Sequence, residues 1–311
     1  MDDYSESNQP IRLGDEVAEA LNAGTPVVAL ESTIIAHGLP RPRNLETAHA
    51  IEGAIRAGGA VPATVALLDG AIRVGLDGAD LACIATSDDV VKVSLRDMGW
   101  VLAAGRPGAT TVAATMLVAH RAGISVFATG GIGGVHRGDS GDVSADLTAL
   151  GTIPVAVVCA GVKAILDIPR TLEHLETLGV PVIGQGTDVF PEFWTRGTNL
   201  PTTTRSDDAA KTASILEAHW STGLTSGVVV AVPVPADHEA DHRVIHKAIK
   251  LGLQEAAIGE VSGNAITPFL LAHIAESTTG ASIDTNVALV LNNASTAARI
   301  AVELQATRRR H

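Results

Sequence analysis

Short apolar segments rich in β-branched residues alternate along this chain with longer segments of helical periodicity. We predict strands at residues 26–31, 124–131, 153–161, 180–186 and 227–235. We predict helices at residues 45–59, 111–123, 171–179, 207–221, 238–258, 266–278 and 284–305. Apolar strands connected by helices are typical of a parallel sheet that is covered on both faces. The alternation therefore predicts an α/β layered fold with a largely parallel sheet.

One pair of strands is predicted to be antiparallel. Residues 62–70 and 71–76 are two apolar runs that meet at Asp69-Gly70. This dipeptide favours the tight turn of a β-hairpin. The predicted sheet is therefore mixed at this point.

The domain organisation is predicted to be simple. The sequence has no composition break that marks a linker and no repeat of fixed period. We expect a single domain at residues 11–305, with a flexible tail at 1–10 and a frayed tail at 306–311. The three arginines near the end are expected to be solvated rather than to bind nucleic acid.

The charge balance excludes two classes of partner. The chain has 22 Lys and Arg against 34 Asp and Glu, which gives a formal net charge of −12. A nucleic-acid binder needs a basic surface to neutralise phosphates, and an anionic membrane repels an acidic protein. We therefore expect a small-molecule partner, no nucleic acid and no membrane.

Cysteine content and apolar content indicate the compartment. Hydrophobic residues make up 46% of the chain, which is too much for a disordered protein. Cys83 and Cys159 lie in apolar stretches, and we expect both to be buried in a reducing compartment. The longest uncharged run, residues 218–236, contains glycines and prolines that are atypical of a membrane span. We expect a cytoplasmic protein.

Polar residues follow several predicted strands directly. Ligands of open α/β sheets bind at the carboxyl ends of the strands. We therefore expect these residues to line one crevice: Glu31, Thr129, Lys163, Gln185, Thr187 and Asp188.

Two of the five lysines lie in apolar surroundings, Lys92 in "DVVKVSL" and Lys163 in "CAGVKAILDI". Burial lowers the pKa of a lysine and makes its amine nucleophilic, as Schiff-base chemistry requires. The alternative for Lys163 is a long side chain at a helix start that extends to solvent. Lys92 fits either an anion-binding role or an exposed position on a strand. Glu31 fits either a general acid or base or a structural carboxylate.

The segment 128–147 is rich in glycine and in charged side chains. Its glycines leave backbone N–H groups accessible to an anion, although the spacing matches neither the dinucleotide fingerprint nor a P-loop. His136 and Arg137 are candidates for phosphate binding. Three aspartates are spaced like ligands of a hard cation: Asp139, Asp142 and Asp146. The alternative is a mobile glycine loop with solvated acids.

Other histidines lie on helical patterns and are assigned surface or packing roles. They are His49, His120, His174, His219, His238, His242, His246 and His273. The sequence lacks G-x-S-x-G and C-x-x-C motifs. A site made of Lys, Glu and Asp fits sugar-phosphate carbonyl chemistry or glycosyl chemistry better than acyl transfer.

The chain also resembles a known family, the pseudouridine-5′-phosphate glycosidases and indigoidine synthase A-like proteins. The resemblance covers about residues 11 to 305. The matching segments include "ALESTIIAHGLPRPRNLETA" (29–48), "VPATVALLDGAIRVGL" (61–76), "GATTVAATMLVAHRAGISVFATGGIGGVHRG" (108–138), "DVSADLTALG" (142–151), "VVCAGVKAILDIPRTLEHLETLGVPVIG" (157–184), "TPFLL" (267–271) and "NVALVLNNA" (286–294).

The resemblance implies a fold, an activity and an assembly. The fold would be a single three-layer α/β/α domain. The activity, that of a glycosidase or carbon–oxygen lyase, would be reversible cleavage of the C–C glycosidic bond of pseudouridine 5′-phosphate to uracil and ribose 5-phosphate. The resemblance also implies a homotrimer and a divalent cation, commonly Mn²⁺, with Mg²⁺ as the other candidate.

The resemblance also implies roles for individual residues. Lys163 would form a covalent, imine-type adduct after the ribose ring opens, Glu31 would donate a proton, and Asp142 would bind the metal. The substrate contacts would be Ser144, Ala145, Asp146, Lys92 and Val112, together with Thr129, His136 and Asn286.

Two segments depart from the family pattern, and two other functions stay open. Arg196-Gly197-Thr198 and "GNAI" (263–266) differ from the residues that the family usually carries there. Both lie outside the proposed catalytic set.

The first alternative function is a Schiff-base lyase or aldolase acting on another phosphosugar, as in indigoidine-type chemistry. The second is a non-catalytic sugar-phosphate-binding protein.

Overall fold

The computed structural model describes residues 11–138, 141–261 and 266–310. Its strands are β1 (Ile11–Leu13), β2 (Val27–Leu30), β3 (Val61–Leu68), β4 (Ala71–Val74), β5 (Val91–Val93), β6 (Gly108–Thr110), β7 (Val126–Ala128), β8 (Ala156–Cys159), β9 (Val182–Gln185), β10 (Thr204–Ser206) and β11 (Val228–Ala231). Its α-helices are α1 (Asp15–Ala23), α2 (Arg43–Ala57), α3 (Gly78–Thr86), α4 (Met98–Ala103), α5 (Val112–Arg121), α6 (Ala145–Thr152), α7 (Ile168–Thr177), α8 (Ala209–Ser221), α9 (His242–Ile258), α10 (Ile266–Ser277) and α11 (Ala281–Arg308).

The strands form one mixed, mostly parallel sheet. Its order is β1-β4-β3-β2-β7-β8-β11-β9-β10, and β6 pairs with β3 and with β5 beside this path. The pairs of β3 with β4 and of β3 with β6 are antiparallel, and the other pairs are parallel. The central strands β2, β7, β8 and β11 are buried along their whole length. The predicted α/β fold is confirmed.

Helices cover the central strands on both faces. The long helix α11 packs against α2 and α8 and contacts β2, β7 and β8. Helix α5 packs against α6 and also contacts β2 and β7. Valine-rich strands that receive helices from both layers bury all of their side chains, which accounts for their unbroken apolar sequences. The result is the expected three-layer arrangement.

The predicted hairpin is present and has the expected turn. Strands β3 and β4 pair with Leu68 opposite Ala71. Asp69 and Gly70 both have positive φ, 51° and 72°. A two-residue turn with positive φ at both positions matches the twist of the flanking strands, and Asp-Gly is a preferred sequence for it.

Some short elements and the burial of one cysteine were not predicted correctly. Strands β1, β5 and β6 have three residues each, too few to show a period of two. Cys159 is buried as expected, but the expected burial of Cys83 is wrong because its side chain is exposed. Helix α3 buries Leu81 and Ile84, and Cys83 lies on the opposite face of that helix.

The two ends of the chain differ in what the structure describes. The predicted tail at 1–10 lies outside the described residues. Helix α11 extends to Arg308, whose guanidinium donates hydrogen bonds to Glu217 and Ser125 at 3.0 and 2.9 Å. The described helix therefore continues past residue 305, and the domain limits stay a prediction. Within the described parts of the chain, no helix is both long enough and apolar enough to span a bilayer.

Two glycines let the ends of β7 and β8 approach a later loop closely. A Cβ atom at Gly161, where φ is 84°, would lie 2.3 Å from the carbonyl oxygen of Pro191. A Cβ atom at Gly131 would lie 2.6 Å from the ring of Phe193. The backbone N–H of Phe193 donates to the carbonyl oxygen of Ala160 at 2.9 Å. We call residues 190–195 the Glu192 loop, and it packs directly against the strand ends.

The close approach predicts a difference between two glycine substitutions. Gly123 also has positive φ, 79°, but a Cβ atom added there would have no atom within 4 Å beyond its own neighbours in the chain. Gly123→Ala should therefore lower the free energy of unfolding by about 1–2 kcal/mol through backbone strain alone. Gly161→Ala should lower it more, because it adds an overlap with Pro191. Urea denaturation of both variants checks this, and equal losses would contradict the packing described.

Candidate active site

A cavity of about 430 Å³ opens at the carboxyl ends of several strands. Glu31 follows β2 and Lys163 follows β8 by a few residues, while Lys92 lies on β5. The cavity brings together nine of the predicted site residues: Glu31, Lys92, Val112, His136, Asp142, Ser144, Ala145, Asp146 and Lys163. Of the six residues expected at the strand ends, Glu31 and Lys163 line this cavity.

Glu31 is a buried carboxyl group at the end of β2. Its side chain accepts a hydrogen bond from the hydroxyl of Thr129, at the end of β7. Burial raises the pKa of Glu31, and the nearby Lys163 ammonium and the Thr129 hydroxyl only partly oppose this rise. A carboxyl group whose pKa is raised in this way retains its proton more readily, as a general acid requires.

The two lysines of the cavity are carried by different elements. The backbone N–H of Lys163 donates to the carbonyl oxygen of Ile132 at 3.2 Å, and α7 begins only at Ile168. Lys163 therefore lies on a fixed loop, not at a helix start. Lys92 is half-buried, and burial lowers its pKa, with a further lowering from Lys163. The structure places Lys92 at the cavity rather than on an exposed strand face.

Asp146 connects the glycine segment to α5. Its two carboxylate oxygens accept hydrogen bonds from the backbone N–H groups of Gly133 at 2.8 Å and Ala113 at 3.0 Å. Ser144 caps α6 as predicted, because its hydroxyl accepts from the N–H of Asp146. A Cβ atom at Gly133 would lie 2.2 Å from the hydroxyl oxygen of Ser144 and 2.7 Å from Asp146. Only glycine fits at this position.

Asp142 fits a cation that keeps most of its water. Its side chain is half-exposed at the cavity, with the Nε2 of His136 3.6 Å from its carboxylate. Asp146 uses both oxygens on backbone N–H groups, and Asp139 lies outside the described residues. One carboxylate with water ligands suits Mg²⁺ or Mn²⁺ better than a cation that needs an all-protein site.

Two predicted site residues do not line the cavity. Thr129 acts on it indirectly through its hydrogen bond to Glu31. Asn286 is buried on α11, beside the backbone of Gly130. Arg137 was considered for phosphate binding. Its guanidinium instead donates a hydrogen bond to the carbonyl oxygen of Ala164 at 2.8 Å and stabilises the segment after Lys163.

The residues at and after the end of β9 are also not part of this cavity. Gln185 accepts a hydrogen bond from Thr212 at 2.8 Å, and Asp188 pairs with Arg205 at 2.7 Å. The expectation of one crevice for all these strand ends is wrong for β9, because β11 lies between β8 and β9 in the sheet. Sequence alone gave no indication of that insertion.

Several cavity residues were missed. Ser94 and Arg96 follow β5, and Thr111 follows β6. These three polar residues also follow strands, but β5 and β6 were too short to recognise in the sequence.

The residues that depart from the family pattern do not line the cavity where the structure describes them. Arg196 donates a hydrogen bond to the carbonyl oxygen of Val234 at 2.6 Å, away from the cavity lining. Residues 263–265 lie outside the described residues.

Comparison with known proteins identifies the family. The family model described as indigoidine synthase A like protein matches residues 16–303. The chain belongs to this family. A pseudouridine-5′-phosphate glycosidase of Rhodospirillum centenum is 60% identical over 289 residues, covering 92% of this chain and 90% of the relative. The corresponding glycosidase of Methylobacterium nodulans is 52% identical over 295 residues, covering 94% and 88%.

Solved structures agree with this assignment. The prealnumycin C-glycosynthase AlnA, in complex with ribulose 5-phosphate, has a TM-score of 0.91 at 38% identity and covers 98% of this chain and 100% of its own. An indigoidine synthase A-like protein of Thermotoga maritima has a TM-score of 0.87 at 34% identity, covering 97% and 100%. The resemblance found in the sequence is confirmed.

The geometry of Asp146 predicts a stability difference between two aspartates. In Asp146→Asn only one side-chain oxygen remains, so one of the two buried N–H groups loses its acceptor. The free energy of unfolding should fall by about 1–3 kcal/mol. Asp142→Asn, at the half-exposed neighbouring carboxylate, should cost less. Denaturant unfolding compares them, and a larger loss for Asp142→Asn would contradict the assigned anchoring role.

The raised pKa of Glu31 predicts a pH dependence of stability. The folded chain favours protonated Glu31, so this contribution is present below the ordinary pKa of 4.5 and is lost as pH rises through the raised value. The free energy of unfolding of the wild type, relative to Glu31→Gln, should therefore decrease as the pH rises above 4.5.

Urea unfolding at several pH values measures this difference. Glu46→Gln, at an exposed position on α2, is the matched control and should show no comparable trend. A wild-type advantage over Glu31→Gln that stays constant or grows with pH would show that burial does not control the Glu31 carboxyl group.

Proposed function

We propose that this protein cleaves the C–C glycosidic bond of pseudouridine 5′-phosphate reversibly, giving uracil and ribose 5-phosphate. The observation that carries the proposal is that Glu31, with its raised pKa, and Lys163 line the same cavity. The names of relatives that are more than half identical over nearly the whole chain support the same substrate. A C–C glycoside lacks a heteroatom leaving group, so acid catalysis alone does not suffice.

The amine of Lys163 supplies the nucleophile. Its nitrogen adds to C1′ of the ribose while the bond from C1′ to the ring oxygen breaks. That oxygen takes a proton and becomes the 4′-hydroxyl of an open-chain sugar. The sugar is then attached covalently to Lys163 and is still joined to uracil through C1′. Covalent attachment divides one difficult bond cleavage into easier steps.

Glu31 supplies the proton for cleavage of the C–C bond. It protonates C5 of the uracil ring, so the ring accepts the electron pair of the breaking bond. The nitrogen lone pair of Lys163 forms a C=N bond to C1′ at the same time. Water then hydrolyses the resulting iminium ion, which releases ribose 5-phosphate and regenerates the lysine. The overall reaction consumes one water molecule for each substrate cleaved.

Other cavity residues would bind the parts of the substrate that do not react. Lys92, His136 and the glycine segment would bind the phosphate, and Ser144, Ala145 and Asp146 would contact the sugar. Asp142 would hold a divalent cation, Mn²⁺ or Mg²⁺, which orients the sugar hydroxyls through its water ligands. Val112, which lines the cavity, stays in the proposed substrate-binding set, and so do Thr129 and Asn286, which do not line it.

The assembly and compartment are proposed from the resemblance alone. We infer a homotrimer in the cytoplasm, with Mn²⁺ as the preferred cation. Gel filtration with light scattering would test the subunit number directly.

A second function is worth testing because of one structural neighbour. AlnA is named a C-glycosynthase and was solved with ribulose 5-phosphate. A Schiff-base enzyme that acts on another phosphosugar would use Lys163 in the same way but would release no uracil. Product analysis therefore separates the two functions.

The direct experiment mixes the purified protein with pseudouridine 5′-phosphate and Mn²⁺ and measures free uracil by chromatography. Lys163→Ala should reduce uracil release by several orders of magnitude, as removal of a nucleophile does in other covalent enzymes. Lys211→Ala, on α8 outside the cavity, is the control and should keep full activity. Near-normal turnover in Lys163→Ala would exclude the covalent mechanism, and no uracil from the wild type would favour the second function.

A further inference from the structure

A cluster of metal-ligating side chains lies outside the proposed active site. It consists of Glu192, on the Glu192 loop, and of His242 and His246, one turn apart at the start of α9. None of the three lines the cavity described above. Both histidines lie on a helical pattern, for which surface or packing roles were expected.

The three ligand atoms are close enough to share one ion. The Nε2 of His246 lies 3.0 Å from one carboxylate oxygen of Glu192, and the Nε2 of His242 lies 3.7 Å from the other. All three ligand atoms lie within 4.8 Å of one another. Tetrahedral zinc with metal–nitrogen bonds near 2.05 Å separates adjacent ligand atoms by about 3.3 Å. The observed distances of 3.0 and 3.7 Å lie on either side of this value. Small changes in side-chain position would therefore allow all three groups to bind one zinc ion.

The elements that carry the ligands are held in place independently of any ion. Phe193 and Trp194 are buried beside Glu192, and the indole N–H of Trp194 donates to the carbonyl oxygen of Ser282 at 3.1 Å. Asp241 caps α9 by accepting from two backbone N–H groups, at 2.8 and 3.1 Å. The histidine spacing of four residues places both rings on one face of α9, where they stack with centroids 4.0 Å apart.

The burial pattern gives the site a closed side and an open side. The Glu192 side chain is only 7% exposed, whereas His242 and His246 are 59% and 39% exposed. The hydroxyl of Thr195 lies 3.3 Å from Glu192 and orients its carboxylate. Solvent can reach the site through the histidines and can supply the fourth ligand. Two histidines, one carboxylate and one open position are a ligand set that zinc uses.

We propose that Glu192, His242 and His246 bind Zn²⁺ and that the ion fastens α9 to the Glu192 loop. This loop packs against Gly131 and Gly161, two residues before Lys163. Helix α9 packs closely against α10, since a Cβ atom at Gly252 would meet Leu270 and His273, and Thr267 at the start of α10 lines the cavity. The ion therefore stabilises the position of α9, which packs on α10 beside the cavity, and it takes no part in the proposed reaction.

The test measures zinc bound to the untagged full-length protein. The protein is stripped with a chelator, supplied with Zn²⁺, passed through gel filtration and analysed by elemental mass spectrometry. The wild type should retain about one zinc per chain, and zinc should raise its melting temperature. Glu192→Gln, His242→Ala and His246→Ala should each bind zinc roughly 100-fold more weakly, since even outer-shell changes cost 10–100-fold.

Two control variants distinguish this site from other sites. His238→Ala removes a half-exposed histidine that precedes α9, and Asp142→Asn removes the carboxylate of the proposed active-site cation. Both should retain the zinc and its thermal stabilisation. Circular dichroism of each stripped variant checks that it is folded, and Glu192→Gln is the mildest change if an alanine variant fails to fold.

The outcomes that would overturn the proposal are specific. A wild type that holds no more zinc than the Glu192, His242 and His246 variants would show that the cluster is only a histidine–carboxylate ion pair. Zinc lost in Asp142→Asn but kept in His242→Ala and His246→Ala would place the ion in the cavity. Neither result depends on uracil release, so this test is independent of the proposed reaction.

Discussion

The carboxylate of Asp146 connects the parts of the chain that form the candidate active-site cavity. It accepts one backbone N–H from the glycine segment after β7 and one from the first turn of α5. Two charge-assisted hydrogen bonds to buried N–H groups fix the loop against the helix. The position of Gly133, and with it the wall of the cavity beside Glu31 and Lys163, follows from this contact.

The positions of Glu31 and Lys163 at the cavity could be predicted because they depend on where strands end. Glu31 and Lys163 directly or nearly follow strongly apolar strands, and such strands meet at one edge of a parallel sheet. The same rule failed for Gln185 and Asp188, since the chain returns later to insert β11 between β8 and β9. The order of strands depends on packing between distant segments, which one sequence does not reveal.

Spacing in the sequence also did not distinguish the different roles of residues of the same type. Asp142 and Asp146 looked like equivalent cation ligands, but Asp146 is occupied by backbone N–H groups and Asp142 lies at the half-exposed rim. The cluster of His242 and His246 with Glu192 was missed because the carboxylate lies about 50 residues earlier in the chain. The separation of four residues between the histidines was the available signal.

The proposed reaction depends most on Lys163 as the group that becomes covalently attached to the sugar. The most direct measurement incubates the protein with ribose 5-phosphate, reduces the mixture with cyanoborohydride and locates the added mass by peptide mapping. Only five lysines compete for the sugar. The proposed reaction requires an adduct on Lys163 that is lost in Lys163→Ala. An adduct on another lysine, or no adduct, would exclude Lys163 as the covalent group.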